Sequence, residues 1–210
     1  MATDLSTQFI NQAESALRYA EMNTSFITSD IINMEGMTGT KTRHFYNNLL
    51  RMPNARYLEI GSWKGSSVCS AMYKNNATVV CIDNWSTFGG PKQEFMANLN
   101  KYKGDNNVTF IEQDCFKVDV SALPKFNLYM FDGEHTYDDQ FNALTYYYNC
   151  LDDIFIFVVD DWNYGRVRQG TRDAISKLNL KNLYEKEIFT EYNGVKDGWW
   201  NGMAVYVLQK

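Results

Sequence analysis

One region constrains the fold of this chain more than any other: the stretch from Tyr57 to Ser67, YLEIGSWKGSS, and the apolar runs that follow it. A short apolar run carries Glu59 near its end, and a turn containing Gly61 and Gly65 then opens into a segment with helical character. Four further apolar runs end in acids: Asp83, Asp114, Asp132, and the pair Asp160 and Asp161. Because the carboxyl ends of parallel strands share one edge of a sheet, this pattern predicts carboxylates along the edge where open α/β sheets bind ligands.

Strand-like and helix-like segments alternate along most of the chain, which predicts an α/β fold with a parallel sheet covered on both faces. Five strands are expected at residues 57–60, 79–82, 108–111, 127–131 and 155–159. Helices are expected at residues 1–22, 43–50, from the glycine turn to 74, 91–102, 138–151 and 167–178. Two last strands, 183–189 and 203–208, have only a turn-rich segment between them and should form an antiparallel hairpin. We expect a single domain over 1–210, with a seven-stranded sheet, an N-terminal helical cap at 1–52 and a core at 53–210.

Composition narrows the functional classes. The 210-residue chain is 45% hydrophobic, which is typical of a globular protein, and its net charge of -5 argues against nucleic acid or an anionic membrane as a partner. No apolar run approaches the roughly 20 residues that span a bilayer. The polar, amphipathic N-terminus is not typical of a secretory signal. The four cysteines form no CxxC pair, so we expect free thiols and a cytoplasmic location.

The turn GSWKGSS suits a ligand site, since glycines let the backbone approach a ligand and a helix N-terminus offers free amides. The turn lacks the second glycine of the dinucleotide fingerprint GxGxxG, and the chain lacks the P-loop string GxxxxGK[ST]. The acid before the turn, Glu59, would repel a phosphate and attract a cation or an amino group.

On these residues the chain resembles the class I S-adenosylmethionine-dependent methyltransferases over about residues 36–210. LEIGSWKGSS is similar to their first motif, Asp83 matches the acid that hydrogen-bonds the ribose hydroxyls, and Asp114 matches the residue near the adenine amino group. The terminal hairpin is also a feature of their Rossmann-like fold. The resemblance implies S-adenosylmethionine as cofactor, with these residues around it: Met37, Thr38, Glu59, Gly61, Ser62, Trp63, Gly65, Ser66, Ser67, Asp83, Asn84, Trp85, Asp114, Cys115 and Asp132. For Asp83 and Asp114, a helix cap or a solvated strand end is the alternative, and Trp85 could equally be a wall of the core.

A second group of acids follows strands four and five of the predicted sheet. If these strands are near neighbours, Asp132, Asp160 and Asp161 converge, and carboxylates crowded together repel one another unless a cation lies between them. Mg²⁺ prefers such oxygen ligands. The pattern resembles the metal-dependent O-methyltransferases of the catechol and macrocin types, and the string D-G-x-H-x-Y resembles a family of small bacterial and viral methyltransferases. The resemblance implies a divalent cation on these three acids, with a solvated acidic face as the alternative.

His135 lies three residues after Asp132, where the catechol-type enzymes have a lysine base, and Asp161 stands where they have asparagine. A histidine titrates near neutrality and suits general-base work, so we expect His135 and Asp132 to be catalytic. The alternative is a structural histidine that caps the next helix. Four aromatic residues are expected to overhang the same sheet edge and to stack on a sugar or aromatic substrate, with packing in a lid or contact with the second subunit of a homodimer as the alternatives: Trp162, Tyr164, Trp199 and Trp200.

The functional hypothesis is S-adenosylmethionine-dependent O-methylation of a hydroxylated small molecule, a sugar or a phenol, aided by Mg²⁺ or another divalent cation. Three alternatives stay open at this point: a metal-independent methyltransferase, an NAD-dependent oxidoreductase, and a non-catalytic protein that binds the cofactor.

Overall fold

The computed structural model describes residues 4–210. Seven strands form one sheet in the order β3-β2-β1-β4-β5-β7-β6. Their bounds are β1 Arg56–Ile60, β2 Thr78–Ile82, β3 Asn107–Ile111, β4 Phe126–Phe131, β5 Leu151–Asp160, β6 Lys181–Ile188 and β7 Met203–Gln209. The pairs among β1 to β5 are parallel, and β7 pairs antiparallel with both β5 and β6. The expected α/β class with a terminal antiparallel hairpin is therefore confirmed.

Seven α-helices cover the two faces of this sheet in the described residues. Their bounds are α1 Leu5–Glu21, α2 Ser29–Ile32, α3 Thr40–Leu49, α4 Ser66–Met72, α5 Lys92–Tyr102, α6 Tyr137–Tyr147 and α7 Gly165–Lys177. Buried side chains of α1, α3, α4 and α5 join one hydrophobic cluster, and those of α6 and α7 join a second cluster on the opposite face. Within residues 4–210, no helix has the length and apolar character needed to cross a bilayer.

The central strand β4 shows why the sequence reads as a continuous apolar run. All six of its residues are buried. Leu128 and Met130 join the first cluster, while Tyr129 and Phe131 join the second. Side chains alternate between the faces of a strand, so a strand covered on both faces needs apolar residues at successive positions.

The sequence pattern misplaced several element boundaries. The helix expected to run to residue 151 ends at Tyr147, a single 3-10 turn follows, and β5 begins at Leu151, four residues earlier than predicted. Asp152 and Asp153 obscured this start because aspartate is rare in strands. Here Asp152 forms an ion pair with Arg56, and both residues lie at the amino-terminal ends of their strands. The short helix α2 was missed, and α3 begins three residues early.

The N-terminal helices pack directly on the sheet. Phe9 of α1 and Phe45 of α3 belong to the same hydrophobic cluster as Tyr57 of β1. The division into a cap at 1–52 and a core at 53–210 stays a prediction, and residues 1–3 of the first expected helix lie outside the described residues.

Candidate active site

The candidate site lies where strand order reverses. β1 is flanked by β2 on one side and by β4 on the other, so the crossovers leave in opposite directions and open a crevice at the carboxyl ends of the strands. A cavity of about 480 Å³ occupies this position, a volume typical of small-molecule sites. Predicted site residues on its wall are Met37, Gly61, Trp63, Asp83, Asn84, Asp114, Cys115, Asp132, His135, Asp160 and Asp161.

The glycine turn forms one wall because its backbone is held very close to β4. Gly61 has φ +85°, and a Cβ built on it would lie 1.8 Å from the backbone oxygen of Asp132. Gly65, with φ +87°, is the residue before α4. Residues with a side chain rarely adopt this left-handed backbone conformation, and no Cβ would fit at position 61. Glycine is therefore required there.

Asp83 fixes the conformation of this turn. Its two carboxylate oxygens accept hydrogen bonds from the backbone N–H groups of Trp63 and Trp85, both at 2.7 Å. No helix begins at this aspartate, since α5 starts at Lys92, so helix capping does not describe its role. The carboxylate ties the end of β2 to the glycine turn and still borders the cavity.

Trp85 packs against the hydrophobic core. Its ring contacts Phe95 and Phe110, with centroid distances of 5.6 and 5.0 Å. Its indole N–H donates to the backbone oxygen of Trp63 at 3.0 Å. Trp85 does not line the cavity. Its position therefore agrees with the interpretation that it packs on the core, and not with the one that it covers the adenine.

Glu59 lies behind the turn with a fully buried side chain. The hydroxyls of Tyr57 and Ser67 donate to its two carboxylate oxygens at 2.7 and 2.8 Å. Burial raises the pKa of Glu59 from 4.5 to about 7, although the two hydroxyl donors oppose this rise. The carboxyl group therefore changes its charge near neutral pH.

Asp114 is both a cap and a wall residue. It accepts a hydrogen bond from the backbone N–H of Phe116 at 3.0 Å and forms an ion pair with Lys117 at 3.1 Å. These contacts, that with Lys117 first, lower the pKa of Asp114. Asp114 therefore caps the 3-10 helix Cys115–Lys117, and it also lines the cavity.

The acids after β4 and β5 converge as expected. Burial, and then the neighbouring charges, raise the pKa of Asp132 and of Asp160 well above the usual range. One oxygen of Asp160, Oδ1, is buried without a hydrogen-bond partner among the described residues. The three residues whose ligand atoms lie within 4.8 Å of one another are Asp132, His135 and Asp161. Asp160 falls outside that group, and its role as a metal ligand stays a prediction.

His135 is held by two contacts. Its Nε2 lies 2.5 Å from Oδ2 of Asp161, and this hydrogen bond raises the pKa of the imidazole. The ring also stacks on Tyr164 at 5.1 Å with an angle of 14° between the planes. The N-cap of α6 is Thr136, whose hydroxyl accepts from the backbone N–H of Asp139, so His135 is not the cap.

The remaining predicted cofactor residues lie behind the cavity wall or beside it. Thr38 and Ser66 share a hydrogen bond at 2.9 Å, which joins the segment before α3 to the start of α4. This group consists of Thr38, Glu59, Ser62, Gly65, Ser66, Ser67 and Trp85. These residues support the turn, and their contact with a cofactor stays a prediction.

Two of the four aromatics expected to overhang the sheet edge do not do so. Trp162 is fully buried, and Trp199 is buried with its indole N–H donating to Glu21 at 2.9 Å. Trp199 belongs to the first hydrophobic cluster and Trp162 to the second, so both rings pack in the core. Trp200 does line the cavity, and Tyr164 covers His135.

Sequence reasoning missed several wall residues. Phe88 and Phe116 add apolar surface at the end of the cavity near Asp83 and Asp114. Their position shortly after strand ends was a usable signal. Asn201, in the loop between β6 and β7, offered no such signal, because it follows no strand.

Comparisons with known proteins show the family and the fold of this chain. The profile of a family described as a methyltransferase domain matches residues 58–162, half of the chain. No curated protein sequence matches at a significant level. An O-methyltransferase from Bacillus cereus in complex with SAH is 10% identical, with a TM-score of 0.60 over 100% of this chain and 93% of that one.

Two further solved structures are similar. The O-methyltransferase TomG from Streptomyces achromogenes, in complex with SAM, is 14% identical, with a TM-score of 0.55 over 100% of this chain and 92% of that one. A protein from Klebsiella pneumoniae, provisionally described as an O-methyltransferase, is 15% identical, with a TM-score of 0.60 and the same coverage. At such identities the likeness shows a shared fold alone.

Proposed function

We infer that this methyltransferase, a member of the methyltransferase domain family, transfers the methyl group of S-adenosylmethionine to a hydroxyl group of a small molecule. The observation that carries this proposal is that one cavity is bordered both by the glycine turn with Asp83 and by the pair His135 and Asp161. The proposed cofactor site and the proposed proton acceptor therefore border the same cavity.

The cofactor end of the cavity combines polar and apolar groups. Asp83 offers carboxylate oxygens to the ribose hydroxyls, and Gly61 permits close approach of the ligand to the backbone. Ile82 and Phe116 supply apolar surface for the adenine. Pockets of this kind orient a ligand by a few polar groups within an apolar lining. The similar structures bound to SAH and SAM support the same assignment.

The other end of the cavity supplies a base. Nε2 of His135 is directed at Asp161, so Nδ1 is the ring nitrogen that would take the proton of the acceptor hydroxyl. The hydroxyl oxygen then forms a bond to the methyl carbon as the carbon–sulfur bond breaks, and the sulfur leaves as a neutral thioether. Asp161 stabilises the imidazolium so formed, in the way that a carboxylate orients a catalytic histidine.

A divalent cation fits the acids of the site. Asp132 and Asp160 repel each other as anions, and Asp160 carries a buried oxygen without a hydrogen-bond partner among residues 4–210. Asp132, Asp160 and Asp161 would hold the cation. When bound, it would orient the acceptor oxygens and lower the pKa of the reacting hydroxyl. One observation supports the metal-independent alternative: His135 contacts Asp161 at 2.5 Å, so a base and an orienting carboxylate are already paired. We propose the cation because the crowded carboxylates of Asp132 and Asp160 need a positive charge between them.

Binding of S-adenosylhomocysteine, measured by calorimetry, tests the cofactor assignment. The wild type should bind, and Asp83→Ala should bind at least about tenfold more weakly, since it loses a group that contacts the ligand. Asp105→Ala, a change of the same charge at an exposed position, is the control. Failure of the wild type to bind would refute the proposal.

Transfer to a panel of phenols and glycosides, followed by release of S-adenosylhomocysteine, tests the chemistry. We expect activity that EDTA abolishes and Mg²⁺ restores, and that falls by about 10²–10⁴ in His135→Ala. Activity that survives EDTA would remove the cation from the proposal and retain the base. Cofactor binding without transfer to any acceptor, unchanged by His135→Ala, would favour a non-catalytic protein.

A further inference from the structure

The loop between β6 and β7 places an amide side chain against the proposed catalytic pair. Nδ2 of Asn201 donates to Oδ1 of Asp161 at 2.5 Å, and Oδ2 of Asp161 contacts His135 at the same distance. Asn201 also lines the cavity. Three side chains from three separate loops are thus joined in one line, from Asn201 through Asp161 to His135.

The orientation of this amide follows from its other contact. Oδ1 of Asn201 accepts the backbone N–H of Gly194 at 2.8 Å. A rotated amide would set its oxygen against the carboxylate of Asp161 and its NH₂ against the N–H of Gly194, and both contacts would be repulsive. The backbone oxygen of Asn201 accepts from Asn163 at 3.0 Å. The residue is therefore fixed by its main chain and by both ends of its side chain.

Asp161 needs such a partner because of where it lies. It directly follows β5, has φ +56° and is only 5% exposed. This left-handed conformation is uncommon for a residue with a side chain, although aspartate tolerates it better than most. Within residues 4–210, Oδ1 of Asp161 has Asn201 as its hydrogen-bond partner and Oδ2 has His135. The carboxylate is thus held between the amide and the imidazole.

We propose that Asn201 is a positioning residue, which holds Asp161 so that its second oxygen is directed at Nε2 of His135. The inference rests on the proposed function for its catalytic meaning, whereas the positioning itself can be observed without any substrate. It also gives the terminal hairpin a part in the active site, because the loop that joins β6 to β7 supplies the residue that orients the base.

Two substitutions separate positioning from simple loop closure. Asn201→Ala removes both side-chain contacts. Asn201→Asp keeps an oxygen that can accept from Gly194 but replaces the donor to Asp161 with a like charge. Asn182→Ala is the control, since the Asn182 amide bonds Glu185 on β6, and thermal unfolding checks that each variant is folded.

The first readout is the NMR spectrum of the two histidine rings at one fixed pH in the presence of EDTA. His44 and His135 are the two histidines of the chain, so His44 is an internal reference. We expect the imidazole ¹⁵N and ¹³C shifts of His135 to change in both Asn201 variants and those of His44 to stay. No change in either variant would overturn the proposal. A change in Asn201→Ala alone would also overturn it, because loop closure would then explain the effect.

The second readout is kinetic, once the wild type transfers methyl groups. Both variants should lose about 10–100-fold in kcat, the usual effect of losing a partner that orients a site residue, with little change in S-adenosylhomocysteine affinity. Unchanged kcat would contradict the inference. Should the wild type bind no cofactor, the proposed function fails while the NMR comparison still decides on the positioning.

Discussion

Replacing Glu59 with glutamine should stabilise the protein at neutral and alkaline pH and have a much smaller effect in acid. The side chain is fully buried, and burial raises its pKa from 4.5 to about 7. The folded state therefore keeps a proton that the unfolded chain releases. The stability that this proton contributes is fully present below pH 4.5 and is lost as the pH rises through about 7.

The size of the effect follows from the shift. A rise from 4.5 to about 7, at roughly 1.4 kcal/mol for each pH unit, corresponds to about 3 kcal/mol of unfolding free energy lost by the wild type above pH 7. Glutamine resembles the protonated acid. Its oxygen can accept from the hydroxyl of Tyr57, and its NH₂ can donate to the oxygen of Ser67. Glu59→Gln should escape most of that loss.

Urea-induced unfolding of wild type and Glu59→Gln at pH 5 and pH 8 measures this directly. The difference in unfolding free energy between the two proteins should grow by about 2–3 kcal/mol in favour of the variant between these pH values. Glu191→Gln, at an exposed position, controls for the change of net charge. A difference that stays constant from pH 5 to pH 8 would refute the argument from burial.

The remaining predictions concern stability. Gly61→Ala should lower the free energy of unfolding in urea by about 3 kcal/mol or more, because the new Cβ meets the backbone of Asp132. The control, Gly104→Ala, has φ +50° and nothing within 4 Å of the new Cβ, so it should cost only about 1 kcal/mol. Equal losses would contradict the steric reasoning. Thr136→Ala should lose about 1 kcal/mol in urea unfolding, because Thr136 is the N-cap of α6; no loss would contradict its assignment as the cap. Phe95→Ala should lose about 3–5 kcal/mol by leaving a cavity among the aromatics of the first cluster, and a loss below about 1 kcal/mol in urea unfolding would show that the site collapses.

The sequence was most informative where structure is local. Apolar runs of the right length predicted the strands, and Gly61 with Gly65 predicted the tight turn, because φ beyond +80° and close backbone contact favour glycine. The turn-rich segment between the last two runs predicted the hairpin. Parallel strands bring their carboxyl ends to one edge, so the sequence pattern alone placed Asp83 and Asp132 at the same edge of the sheet, and both border the cavity.

Boundaries were less certain where polar residues enter an element. β5 begins with Leu151 and carries Asp152 and Asp153, whereas the sequence pattern ended a helix at residue 151 and began the strand at residue 155. Pairing with Phe126 of β4, together with the ion pair between Asp152 and Arg56, holds it in the sheet. Tertiary contacts overrode local preference there.

Neither the order of the strands nor the partners of the site residues could be obtained from the sequence pattern. Asn201 and Asp161 are 40 positions apart, and their contact depends on β7 lying beside β5. Burial likewise depends on the whole fold: Trp162 lies in the core and Trp85 packs against it, although their sequence position suggested the ligand edge. The sequence by itself determined which residues could form strands, turns and a row of acids, since these depend on neighbours along the chain. Only the tertiary structure decided which acids are buried, which acid contacts the histidine and which residues support that acid, because those properties arise from side chains that folding brings together from distant positions.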